Sequence, residues 1–348
     1  MFLGIVIAYA LCLVVIVMVT GTEGAKDAIF NFAIGPFTSK RRFAQVLSRM
    51  CPYMLIGCGM CFVYASGRFS VISEGIINIA PIPILYVMFA TTFGTQVMAG
   101  LPKFVNQIII IVSCALVGGL VAMIPAIGRE KLGANEMVTS TIMNFVCLYL
   151  SMWVVRGYMA DRSNSFLCTP SYPDNMRFAR YWGNTNLSEG IWVAIIGVVI
   201  ACIIFYRTRL GVEIRVTGSN PSFARYAGIN TSITPFMGQV LGGLFAGVGS
   251  AVEIFGAYDQ YQLSMLTNIG FDGLIIAVMA KKQPIFVPFT AFVLAYIRTA
   301  AAVLNTNTNI PVELVTMLQA VIIFFVAAEE FLGKSRQKAI IKASQANQ

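Results

Sequence analysis

The sequence predicts an all-α polytopic membrane protein with about ten transmembrane helices, on three observations. First, charged residues make up 11% of the 348 residues, hydrophobic residues 57%, and mean hydropathy is +0.77. A soluble domain carries roughly a quarter charged residues. A large core does not explain the deficit, because a chain of this size still exposes much of its surface to water. Second, the apolar runs extend from one end of the chain to the other. Third, the net charge of +9 is gathered in short connections between those runs. That pattern belongs to membrane topology and not to a nucleic-acid surface.

In chain order the candidate spans are 1–20, 51–66, 76–95, 104–125, 136–155, 188–206, 233–256, 267–281, 284–303 and 311–328. The first has no basic segment ahead of it and is too long for a signal-peptide core, so it reads as a retained span. The second and eighth are short and are expected to be broken or re-entrant. Such segments need protein or a water-filled cavity around their backbone. Residues 1–348 then form a single integral membrane domain. Loops 21–50 and 156–187 lie outside, and a polar insert at 207–230 and a tail at 329–348 lie inside. Placing the insert in the cytoplasm puts Arg68, Arg129, Lys131, Lys281, Lys282, the basic tail and both termini on that side. Lys40, Arg41, Arg42, Arg49, Arg156, Arg162, Arg177 and Arg180 fall on the other side, against the positive-inside rule. Residues 40–49 are expected to form an amphipathic surface helix.

The chain has no histidine, which removes imidazole base catalysis and His-ligated metal. Cys58 and Cys61 form a CxxC inside an apolar run, where cysteine behaves as a small hydrophobe. No disulfide framework, metal site or cofactor is expected. The GKS at 333–335 lacks the first glycine of a P-loop, because position 328 is Ala328. The chain therefore lacks its own nucleotide site of that type.

Three segments carry chemistry. The insert RTRLGVEIRVTGSNPSFARYAGIN, 207–230, interrupts the apolar pattern. Its Asn220-Pro221 step can start a short helix through Tyr226 that Gly228 stops, a lever on which a soluble partner can push. In the second segment, Asn135 and Glu136 open a span in which Glu136, Ser140 and Asn144 fall at i, i+4 and i+8, on one helix face. Two readings stay open: the lining of a solute path, or hydrogen bonding between packed helices. In the third, Asp272 lies about 8 Å into the eighth span and Arg298 at a matching depth in the ninth, so the two are expected to pair. The seventh span carries Gly238/Gly242 and Gly243/Gly247 at small-xxx-small spacing, a signal for close helix packing.

These segments resemble the permease subunits of bacterial ABC importers for nucleosides and simple sugars. The family pattern GANE-V-STLMLNY is similar to GANEMVTSTIMNF at 133–145, and TRLG…GxNPxAARYAGI to residues 208–229. GFDGIAVALLG–NP is similar to residues 270–284, followed by an LRS-type step near Arg298. The resemblance covers roughly residues 45–330. There is one departure: where the family has GLFNIGxEGQ, GIINIAPIPI keeps Gly75, Asn78 and Ile79 and loses the rest.

The resemblance implies a type II ABC importer membrane domain in the bacterial cytoplasmic membrane. It implies a second, identical or related permease subunit, an ATP-binding cassette subunit, an extracytoplasmic substrate-binding protein or lipoprotein, and no nucleic acid. A coupling helix would involve Gly218, Asn220, Pro221, Ala224, Arg225, Ala227 and Gly228. The solute path would involve Asn78, Asn135, Glu136, Ser140, Asn144, Phe271, Asp272 and Arg298. The solute would be a nucleoside or related small molecule, with riboflavin or a simple sugar as alternatives. An ion-coupled secondary transporter, with Glu136, Glu253, Asp272 and Glu313 as relay candidates, is a different class. The absence of histidine and the presence of the insert argue against it.

Overall fold

The computed structural model describes residues 30, 32–91, 98, 100–181 and 185–307. The first and tenth candidate spans, the tail and Glu313 lie outside these residues. The chain divides into a larger unit, Leu47–Phe292, and a smaller one that joins Met1–Val46 to Val293–Gln348.

The described helices are α1 (Lys40–Ala65), α2 (Ser73–Ile79), α3 (Ile82–Ala90), α4 (Lys103–Leu132), α5 (Glu136–Val154), α6 (Gly190–Arg207), α7 (Arg209–Ser219), α8 (Pro221–Tyr226), α9 (Ile233–Ala257), α10 (Ile269–Met279) and α11 (Val287–Asn307). A π turn, Val155–Met159, extends α5. The described residues contain one isolated antiparallel bridge, Arg180 to Ser188, and no longer strand. Seven helical stretches among them are long and apolar enough to cross a membrane. The all-α membrane class expected from composition is the class observed.

Two boundary expectations are corrected. The 51–66 run is not short, and residues 40–49 do not form a separate surface helix. They are the first turns of α1, whose 26 residues span about 39 Å against a hydrocarbon core of about 30 Å. A helix needs no apolar side chains where it projects beyond the core, so a search for apolar runs stopped too early. It is the third run that is broken. Ala80 N–H still bonds the Ile76 carbonyl at 2.8 Å, and then Pro81 and Pro83 remove the donors that would continue the ladder. The eighth run is short as expected: α10 has 11 residues, about 16 Å, roughly half the core.

In the larger unit, α9 packs between α1 and α4 through two glycine pairs that point in different directions. A Cβ on Gly242 would stand 2.5 Å from Val63 Cγ2 and 3.1 Å from the Gly59 carbonyl of α1. A Cβ on Gly243 would stand 2.5 Å from the Gly118 carbonyl of α4, and Gly247 abuts the Cys114 carbonyl. Backbones approach this closely only where a side chain is missing, which is the packing that the small-xxx-small spacing signals. Cys58 and Cys61 are fully buried free thiols within α1. By contrast α5 and α6 turn Phe145, Tyr149, Trp153, Trp192, Ile196 and Val199 outward, as helices facing lipid do.

Chain direction gives this unit two ends. One holds residues 65–68, the end of α4, the start of α5 and the insert. The other holds the start of α4, the loop after α5 and the end of α9. That loop is folded down. Thr169 N–H bonds the Tyr261 carbonyl at 3.0 Å, Tyr172 N–H the Asp259 carbonyl at 2.9 Å and Phe178 N–H the Phe255 carbonyl at 3.2 Å. Its own Cys168, Tyr172, Met176 and Phe178 are buried.

In the smaller unit, a 3-10 turn at Gly35–Phe37 is closed by the Thr38 hydroxyl on the Gly35 carbonyl at 2.7 Å. The Tyr296 hydroxyl donates to the Ala33 carbonyl, and its ring lies 5.3 Å from that of Phe37.

Candidate functional site

The polar face of α5 closes on the chain that leads into the broken helix. Asn135 caps α5, its side chain accepting from Met137 N–H at 3.1 Å. Glu136, Ser140 and Asn144 are all buried. Ser140 Oγ accepts from Val71 N–H at 3.1 Å. The Asn144 amide donates to the Val71 carbonyl at 3.1 Å and accepts from Gly75 N–H at 2.8 Å. Ser151, two turns further on, donates to the Asn78 carbonyl at 3.1 Å. The stripe therefore grips backbone groups, including donors near the start of α2 that have no partner within the helix. Asn78 sits at the break. Its carbonyl also accepts from the Tyr261 hydroxyl at 2.9 Å, and its side-chain amide donates to the Glu74 carbonyl at 3.0 Å. Its Oδ1 is buried with no hydrogen-bond partner among the described residues.

Glu74 was not picked out from the sequence. Its carboxylate is fully buried and faces the start of α10. It accepts from Asn268 N–H and Gly270 N–H at 2.7 Å each, and from the Thr267 hydroxyl at 3.0 Å. Asn268 is left-handed, φ 63°, which turns these donors toward one point. Gly270 lies against the Glu74 backbone with no room for a Cβ. A buried carboxylate at a helix N-terminus satisfies the orphan N–H groups and complements the helix dipole. The available signal was a glutamate inside an apolar stretch, which is rare enough to be informative.

Asp272 is buried on the first turn of α10 and accepts from the Tyr53 hydroxyl at 2.5 Å. Phe271 beside it is half-buried. Both belong to the larger unit, whereas half-buried Arg298 lies on the part of α11 that belongs to the smaller one. The Asp272–Arg298 pairing expected from their depths therefore stands as a proposal.

The insert is two helices, α7 and α8. Asn220 caps α8, accepting from Phe223 N–H at 3.0 Å, with Pro221 in the first turn; Gly228 follows in the left-handed region at φ 77°. Ala224 is fully buried, while Phe223, Arg225, Tyr226 and Ala227 are exposed. Sequence reasoning found α8 and missed α7 as a separate helix, although its cap is legible: Thr208 accepts from Gly211 N–H at 3.2 Å. Gly218, near the end of α7, meets the Ala65 carbonyl at the end of α1 so closely that a Cβ there would collide with it. Next to this contact lies a charge cluster. Arg68 hydrogen-bonds Glu130 and stands 3.5 Å from Glu136, and Arg129 stands 3.8 Å from Glu136.

Comparison with known proteins fits this architecture. Residues 42–327 match the family described as branched-chain amino acid transport system / permease component. The chain is 29% identical to the nucleoside ABC transporter permease protein NupB of Lactococcus lactis subsp. cremoris, covering 92% of this chain and 88% of the relative. It is 24% identical to the guanosine ABC transporter permease protein NupP of Bacillus subtilis, covering 93% and 92%. It is 25% identical to the glucose ABC transporter permease protein TsgB13 of Haloferax volcanii, covering 89% and 82%. Among solved structures, PsaBC from Streptococcus pneumoniae in complex with Fab shares the fold at TM-score 0.50 and 13% identity, over 86% of this chain and 95% of that one. The chain is a multi-pass membrane protein and belongs to the permease family of branched-chain amino acid type transport systems.

Proposed function

We propose that this chain is the membrane-spanning subunit of an ATP-driven importer, and that a nucleoside or related solute passes beside the break between α2 and α3. The observation that carries the reading is Asn78 Oδ1, buried at a helix interruption with no hydrogen-bond partner among the described residues. Discontinuous membrane helices expose backbone and polar groups near the bilayer midplane, where transporters bind solute. A hydroxyl- or amide-bearing solute can donate to that oxygen. On this reading Asn135, Glu136, Ser140, Asn144, Phe271, Asp272 and Arg298 shape or support the path, some by fixing backbone. The relatives named for nucleosides and guanosine support that solute class, and those named for glucose and riboflavin keep sugar and flavin as alternatives.

The insert end then faces the cytoplasm. An ATP-binding cassette subunit docks on α7 and α8, contacting the Gly218–Gly228 stretch around exposed Phe223 and Tyr226. A second permease subunit completes the path, and a binding protein or lipoprotein delivers solute at the opposite end. Both termini lie inside.

Uptake by proteoliposomes tests this. With its cassette and binding protein, the permease should accumulate a labelled nucleoside only when ATP is present. Accumulation by the lone chain, driven by an ion gradient, would overturn the reading in favour of a secondary transporter. Asn78→Ala should raise the KM for solute; an unchanged KM removes Asn78 from the path.

A further inference from the structure

Residues 65–78 form a strap that touches five other elements of the larger unit. Its lower end meets α7 backbone to backbone: a Cβ on Gly67 would stand 3.3 Å from Gly218 Cα, and Gly67 itself is left-handed at φ 79°. Arg68 then reaches Glu130 at the end of α4 and Glu136 at the start of α5. Ser70 accepts from the Gln239 amide of α9 at 3.2 Å. Val71 is held on both its N–H and its carbonyl by Ser140 and Asn144 of α5. Glu74 holds the start of α10, and Asn78 lies at the break. Apart from the Arg68–Glu136 ion pair at 3.5 Å, every link is a hydrogen bond or a backbone contact without a side chain. A strap tied in this way has little freedom to absorb a displacement locally.

We infer that this strap carries movement of the insert to the solute path, and that Arg68 with Glu136 forms the joint that makes α5 follow it. This rests on the permease reading above. Arg68 is one residue from the contact with α7 and has only 13% of its side chain exposed, and Glu136 has 3%. The carboxylate begins the helix whose Ser140 and Asn144 grip Val71. When the insert moves, Arg68 moves with Gly67. The charge attraction then draws the start of α5 along, so the grip on Val71 and Gly75 is kept while the break shifts. Without that attraction the insert can move while α5 stays in place, and ATP is hydrolysed without transport. Arg68 and Glu136 are thus positioning residues, acting on the path through α5.

The test is a double-mutant cycle on the reconstituted complex, reading solute moved per ATP hydrolysed. A misfolded fraction lowers uptake and hydrolysis together and leaves this ratio unchanged, so the ratio separates coupling from stability. Arg68→Gln and Glu136→Gln should each lower it about ten-fold. The double variant should fall about ten-fold as well, not the hundred-fold expected of independent sites. Arg68→Lys, which keeps the charge, should retain at least about half of the ratio. Unchanged ratios in the single variants, or a hundred-fold loss in the double, overturn the joint. If the unmodified complex shows no ATP-dependent uptake, the permease reading falls and the relay falls with it. If that uptake is present and the cycle is additive, the relay alone falls.

Discussion

The two ends of the larger unit use the same residue types with different consequences. At the insert end, Glu136 faces Arg68 and Arg129 with 3% of its side chain exposed. At the loop end, Asp259 faces Arg177 and Arg180 with 56% of its side chain exposed. The ion pairs look alike, but their surroundings decide their worth. An exposed pair gains about 0–1 kcal/mol, because water already solvates both partners. A buried carboxylate stripped of its partner leaves a charge that nothing compensates, at a cost of about 3–5 kcal/mol. The insert end is therefore the more sensitive mechanically. At the loop end, backbone hydrogen bonds and buried aromatics do most of the holding.

The largest effect should come from Glu74, buried like Glu136 and with all its carboxylate partners in one segment. Glu74→Ala leaves two backbone donors and one hydroxyl without an acceptor, at about 3 kcal/mol for the loss of charge-assisted bonds. The detergent-solubilised protein should melt roughly 5–10 °C lower. A shift under about 2 °C would mean that another acceptor or water takes over the start of α10.

The insert offers a contrast between neighbouring residues. Ala224 is fully buried and Ala227 is exposed. Ala224→Glu should lower the melting temperature and the yield in the membrane. Ala227→Glu should leave both unchanged and cut uptake about ten-fold while ATP hydrolysis continues. Normal uptake in Ala227→Glu would remove this surface from cassette docking.

At the loop end, Asp259→Asn should cost no more than about 1 kcal/mol, measured as a small shift in melting temperature. A shift as large as that of Glu74→Ala would erase the distinction between the two ends.

The smallest effect concerns Glu189. Burial works against its ionised form, but hydrogen bonds from Gln107 at 2.9 Å and Ala179 N–H at 3.1 Å, with Lys103 at 3.7 Å, outweigh it and hold its carboxyl below the usual range. A lowered folded pKa stabilises the folded form above the unfolded pKa of about 4.3, and this is lost as pH falls through the folded value. Hydrogen exchange around residues 177–190, corrected for the intrinsic rate, should rise below about pH 4. Glu189→Gln should abolish that rise; a rise that persists in it points to other carboxylates.

Much of this was legible in the chain. Apolar runs located the membrane helices, Asn135 and Asn220 announced their helix starts, and the glycine pairs of α9 announced close packing. Pro81 and Pro83 carried the signal for the break, but the apolar run around them is continuous and hid it. The start of α1 was missed because charge ended the apolar run while the helix went on. Glu74, a carboxylate in an apolar stretch, carried a signal that the sequence reading passed over. Its partners, nearly two hundred residues further along, leave no trace in local pattern.

By itself the sequence determined which of the described segments are apolar enough to cross a membrane, because transfer of side chains from water depends on composition, and where the Asn-capped helices α5 and α8 start, because caps act within four residues. It also determined that Glu136, Ser140 and Asn144 share a face, since helical periodicity requires it. Only the tertiary structure decided what that face meets. The same stripe can line water or grip backbone, and the choice depends on which unsatisfied donors the fold brings opposite. Here these are the N–H groups of Val71 and Gly75 beside a helix that is interrupted between Ile79 and Ile82.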